Sequence, residues 1–182
     1  SWRLQVAVVS YMDYLRMMVW PAGMAFFYPP PEVVPMWRVV ISIIVLLVIT
    51  GLSLRHAKRY PYLTVGWFWF LGTMLPLLGI VSHGFHFLAD RYTYIPTIGL
   101  LWIVAWGAAD LVKGQRAWHP TLSGLAVIVI VACAAVSYVQ IPVWRNSVTL
   151  FEHAANVTHG NYLAYNNLDD IAIERGDSAA AE

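Results

Sequence analysis

Residues 120–141 read PTLSGLAVIVIVACAAVSYVQI, more than twenty residues without a charge. A helix needs about 17–25 apolar residues to cross the hydrocarbon of a bilayer, so this run predicts a membrane span. Working outward, three further runs meet the same test. Residues 37–54 carry only Arg38 near their start. Residues 62–81 contain Pro76, which a membrane helix tolerates where neighbouring groups satisfy the freed backbone. Residues 94–112 are shorter and hold Asp110 at their far end.

Composition agrees with this reading. Of 182 residues, 59% are apolar, 14% aromatic and 12% charged, and the mean hydropathy is +0.61. Soluble domains carry about 25% charged residues, roughly twice as many. Nine Trp and ten Tyr suit the aromatic belts of membrane–water interfaces. A net charge of +1 without a basic stripe argues against nucleic acid as a partner. The sole cysteine, Cys133, lies inside an apolar run, which rules out an intramolecular disulfide. Ser1-Trp2-Arg3 offers neither an initiator Met nor a basic leader with a cleavage site. The last residues stop partway through a helical pattern, so both ends read as cut.

Orientation follows from the basic residues beside the spans. Arg55, Lys58, Arg59, Lys113 and Arg116 fall on one side; Arg38, Arg91 and Arg145 fall on the other. The richer side is assigned to the cytoplasm. Residues 28–36, 82–93 and everything after Pro142 then lie in the periplasm or lumen.

Residues 2–27 admit two readings. Ser10, Asp13 and Arg16 recur every three positions among Val, Met, Leu, Tyr and Trp. Such a stripe suits a helix lying in the interface with Trp20 as its anchor. The same segment also reads as the tail of an earlier span. Pro21, Pro29, Pro30, Pro31 and Pro35 then force an extended, stiff connection.

After Pro142 the chain turns polar with helical spacing, a domain boundary that separates residues 1–141 from 142–182. TPR repeats are about 34 residues long, with small and aromatic residues at fixed places in two helices. With Phe151 at the aromatic position, Ala154 falls at a small position and the next repeat begins at Tyr162. Leu168, Gly176 and Ala181 keep the same register. Asp169 and His159 depart from it, standing where Gly and Pro are common. A generic amphipathic hairpin is the alternative. The fold class expected is all-α: a polytopic membrane domain of about four spans plus an interfacial helix, followed by TPR-like hairpins.

The segment between the second and third spans holds the residues that could carry chemistry. It contains His83, His86, Asp90, Arg91 and Tyr92. Ionisable side chains this close to a membrane are costly unless paired or used. Arg91 presents a planar fork of donors suited to a phosphate, and Asp90 could orient it. His83, His86 and Asp90 could also meet a divalent cation, although their spacing matches no strong zinc pattern. Each of these residues also has a plain role as a boundary anchor or packed side chain. Asn156-Val157-Thr158 is an N-glycosylation sequon, relevant only in a eukaryotic lumen.

Ala89-Asp90-Arg91-Tyr92-Thr93-Tyr94-Ile95-Pro96-Thr97-Ile98-Gly99 resembles the ADRYxYxPxxG signature of transmembrane-and-TPR proteins. Tyr14-Leu15-Arg16, Trp20-Pro21-Ala22-Gly23 and Phe27-Tyr28-Pro29 resemble the same family upstream. So do Trp144-Arg145-Asn146-Ser147, Leu150-Phe151 and Ala154 downstream, and the blocks keep the family's order. The resemblance implies a GT-C-type membrane domain that takes sugar from a polyprenyl-phosphate donor, with TPRs on the external side. It implies a lipid-phosphate role for Asp90, Arg91 and Tyr92. It also places the catalytic carboxylate in a first external loop nearer the protein's N-terminus, so no residue of this chain is nominated as catalytic. No metal or other cofactor is assigned beyond the lipid-linked donor. A bacterial inner membrane, or the endoplasmic reticulum in a eukaryote, is the expected location, with the bilayer, the lipid-linked sugar and a TPR-bound protein as partners. The competing expectation is a non-enzymatic anchor that presents a TPR array. A flippase is disfavoured, because the spans are almost bare of polar residues and Asp110 is accounted for by snorkelling or by pairing with Lys113.

Overall fold

The computed structural model describes residues 2–20, 23–29, 31, 33–78, 90–114, 118–158 and 160–176. Its regular elements are helical: α1 (Trp2–Val19), α2 (Met36–Arg55), α3 (Pro61–Met74), α4 (Tyr94–Leu111), α5 (His119–Gln140), α6 (Ser147–Val157) and α7 (Tyr162–Arg175). Four stretches are long and apolar enough to cross a membrane: Met36–Arg55, Pro61–Leu78, Arg91–Leu111 and His119–Trp144. These are the four expected spans. The second is described only as far as Leu78.

Prolines mark the helix boundaries for a plain reason. Pro35 is extended and precedes the first turn of α2, and Pro61 opens α3, where a missing N–H costs nothing. Pro76 cannot donate back along the ladder, so α3 gives way at Met74 to a 3₁₀ turn over Leu75–Leu78. Pro142 lies in a similar turn, Ile141–Trp144, that ends α5.

The core is shared by α1, α2 and α3. Val6, Val9, Tyr11 and Tyr14 of α1 pack with Val39, Trp67, Phe70, Met74 and Leu78, all buried. Tyr11 meets Phe70 edge-on with ring centroids 5.9 Å apart, and its hydroxyl donates to the Leu71 carbonyl at 2.8 Å. Trp67 Nε1 donates to Thr50 Oγ1 at 2.9 Å, so neither buried polar group is orphaned. The polar stripe of α1 does not form an outer face. Ser10 is buried, and Asp13 turns toward α2 to accept a charge-assisted hydrogen bond from Arg38 at 2.8 Å. Only Arg16 of that stripe is exposed.

The closest helix pair is α3 with α4, which run antiparallel. Gly66 and Gly99 sit at the crossing, and a Cβ added to either would collide with the other's carbonyl oxygen. Small residues let membrane helices approach backbone to backbone. Trp69 Nε1 donates to the Ile95 carbonyl at 3.0 Å beside this crossing. Asp110 near the end of α4 is met by the Tyr62 hydroxyl. Lys113 does not pair with it; among the described residues the one ion pair is Arg38–Asp13. By contrast α5 has no buried residue along its whole length.

Helices α6 and α7 form a hairpin. Asn146 caps α6 through a reciprocal capping box with Thr149, and Asn161 caps α7 by accepting from the Ala164 amide at 3.1 Å. Gly176 ends α7 with φ at 78°, a left-handed cap that glycine adopts without strain. Ala154 and Ala164 are fully buried where the helices meet. Phe151 and Leu168 are half-buried, whereas Ala181 and His159 lie outside the described residues.

Candidate functional site

Antiparallel passage gathers four helix ends together: the starts of α2 and α4 and the ends of α3 and α5. Residues 56–60 and 112–114 fall at the opposite end. Arg91 rides on a 3₁₀ turn, Asp90–Thr93, that leads directly into α4. Its guanidinium lies 5.2 Å from the centroid of the Tyr92 ring, a cation–π contact. Arg91 is exposed and Tyr92 half-buried.

These are two of the five residues singled out from the sequence. Asp90 contributes its backbone to the turn, but its side chain lies outside the described residues, as do His83 and His86. Among the described residues no three His, Cys, Asp or Glu side chains come close enough to hold a metal ion.

At the same end an open cleft of about 720 Å³ lies between the start of α4 and the end of α5. Its lining comes from three separated parts of the chain: Met24, Tyr94, and the end of α5 with the turn that follows it, from Val136 to Arg145. The size suits a small ligand, since binding clefts usually enclose about 300–1,000 Å³. Tyr94, Ser137, Gln140 and Arg145 supply hydroxyl, amide and guanidinium groups; Val136, Ile141 and Trp144 supply apolar wall. Sequence reading missed this set, because Arg145 counted only toward orientation and the family resemblance, and Tyr94 only as the start of a span and part of a signature. The available signal was an arginine directly after an apolar span and an interfacial Trp.

The hairpin closes over this end. His153 Nε2 lies 3.1 Å from the Met24 carbonyl, and Asn161 Nδ2 donates to the Phe27 carbonyl at 3.3 Å. Phe26 meets Phe151 edge-on at 5.1 Å, and Phe27 meets Tyr162 at 6.2 Å. Residues 23–29 are thereby clasped by α6 and α7, and Met24 is common to the clasp and to the cleft.

No protein-family model, characterised protein or solved structure matches this chain.

Proposed function

We propose that the chain is the membrane-embedded part of a glycosyltransferase that takes sugar from a polyprenyl-phosphate donor and passes it to a protein or glycan acceptor on the external side. One observation carries the reading furthest. The Asp90–Thr93 turn, which bears Arg91, leads into the helix that lines a cleft of ligand size at an end of the apolar bundle. A lipid-linked donor needs such a place: a cation for its phosphate beside an apolar path for its tail. Arg91 would steady the leaving phosphate as charge develops on it. The general base would be a carboxylate outside these residues. On this reading the 56–60 side is cytoplasmic and the α6–α7 hairpin, the opening of a TPR array, stands over the cleft to bring the acceptor.

Arg91→Ala in the intact protein tests the proposal. Transfer from a polyprenyl-phosphate sugar should be lost while membrane insertion is unchanged. Full activity in that variant would sink it.

A second reading has its own support. The clasp between the hairpin and residues 23–29 fixes α6 and α7 rigidly on the apolar bundle, as an anchor for a protein-binding array would require. Under that reading the intact protein captures a partner through its repeats, with or without Arg91.

A further inference from the structure

We propose that the cleft between α4 and α5 is a binding site for an anionic lipid headgroup, with Arg145 as its cation. The lipid is a phosphate ester carrying an apolar tail. This inference deepens the transferase reading, which uses the same cleft, but it rests on a different arginine and requires no reaction, so loss of transfer in Arg91→Ala and loss of lipid in Arg145→Gln are separate outcomes.

Arg145 directly follows the span His119–Trp144, so its backbone sits where hydrocarbon gives way to headgroups. Trp144, exposed beside it, is the residue type that anchors at that depth. An arginine there must be hydrated, paired or bound to an anion. Arg145 makes no ion pair among the described residues, and its side chain lines the cleft.

The rest of the lining fits one kind of ligand. Tyr94, Ser137 and Gln140 bring neutral donors to the same cleft, and among the described residues no carboxylate lines it to repel an anion. A planar guanidinium can grip two phosphate oxygens while hydroxyl and amide groups take the others. Val136 stands one turn deeper along α5 and begins an apolar track with no charge back to Pro120. α5 buries none of its residues against the described part of the protein, so this track is open there to an acyl or isoprenoid chain. A free phosphate would use the donors but leave the track empty. A zwitterionic headgroup would bring its own cation against Arg145. The combination favours a lipid with net negative charge.

Native mass spectrometry of the purified chain in dodecyl maltoside would read lipid retention directly. Phosphatidic acid is the probe, phosphatidylcholine the zwitterionic control and inorganic phosphate the control without a tail. One phosphatidic acid should be retained per chain, in preference to phosphatidylcholine and undisplaced by equimolar phosphate. Arg145→Gln should weaken retention about tenfold, the loss of one charge-assisted contact, and Arg145→Lys should restore part of it. Lys58→Gln, at the opposite end, should change nothing. Val136→Trp fills the cleft without touching the charge and should also abolish retention. Undiminished retention in either Arg145→Gln or Val136→Trp overturns the proposal. Displacement by equimolar phosphate overturns the lipid assignment.

Discussion

Gly66 and Gly99 face each other across the α3–α4 crossing so closely that neither position has room for a methyl group. The obstacle on each side is a backbone carbonyl, which cannot swing away as a side chain would. Gly66→Ala or Gly99→Ala should therefore push the helices apart and cost about 1–3 kcal/mol, as overpacking does. Gly72→Ala serves as the control. Nothing lies within 4 Å of a Cβ there, so the better helix former should be neutral or slightly stabilising. Thermal unfolding in detergent, followed by circular dichroism, would separate the two classes.

Asp13 lies on α1, outside the four candidate spans, and burial pushes its carboxyl above the ordinary 3.8, although Arg38 and Arg16 pull it the other way. The sign follows. The folded chain holds this proton more tightly than the unfolded one, so the stabilisation is complete below the unfolded value and fades as pH rises through the folded value. A carboxyl NMR titration should give a midpoint above 3.8 for Asp13. Arg38→Ala should raise it further by removing the larger of the two opposing charges. A midpoint that falls in Arg38→Ala would refute this account.

Asn161 is completely buried and uses both ends of its amide. The oxygen caps α7; the nitrogen donates to Phe27 and to Thr158 Oγ1. Asn161→Ala should cost about 1–3 kcal/mol through a lost cap and unpaired neighbours. Asn161→Asp keeps the capping oxygen but sets a carboxylate against the Phe27 carbonyl. It should spare the hairpin's helicity while releasing the hairpin from residues 23–29. Limited proteolysis near residue 25, compared with helical content, would tell these effects apart.

Single cysteines in a Cys133→Ala background would fix the orientation. With a membrane-impermeant maleimide, Lys58→Cys should react from the basic-loop side alone and Glu152→Cys from the opposite side alone. Reaction of both from one side would overturn the four-span arrangement on which the proposed function rests, and exchange of the two sides would reverse its orientation.

The spans were legible because each is a run of about twenty residues with almost no charge, and hydrocarbon tolerates little else. The stripe on α1 was ambiguous for a physical reason. Polar residues three apart face one way, but spacing does not say whether that way is water or Arg38. The hairpin's small residue Ala154 could be placed from spacing, whereas its partner Ala164 and the cap Asn161 became evident only with both helices in view. The cleft was the least visible. Met24, Tyr94 and Arg145 are far apart in sequence, and only antiparallel helix passage brings them to one place.

The clasp carries a consequence for biosynthesis. His153 and Met24 are 129 positions apart, and Asn161 and Phe27 are 134 apart. At about 5–20 residues per second, synthesis of the intervening chain takes on the order of ten seconds. During that interval the early segment waits without its partner. Between the two lie four helices long and apolar enough to cross a membrane, and four crossings, an even number, would return the chain to the side from which it left. A chain that skipped one crossing would emerge on the wrong side, unable to reach residues 23–29. Across four such crossings the clasp would act as a parity check, rejecting a chain that missed one or three of them.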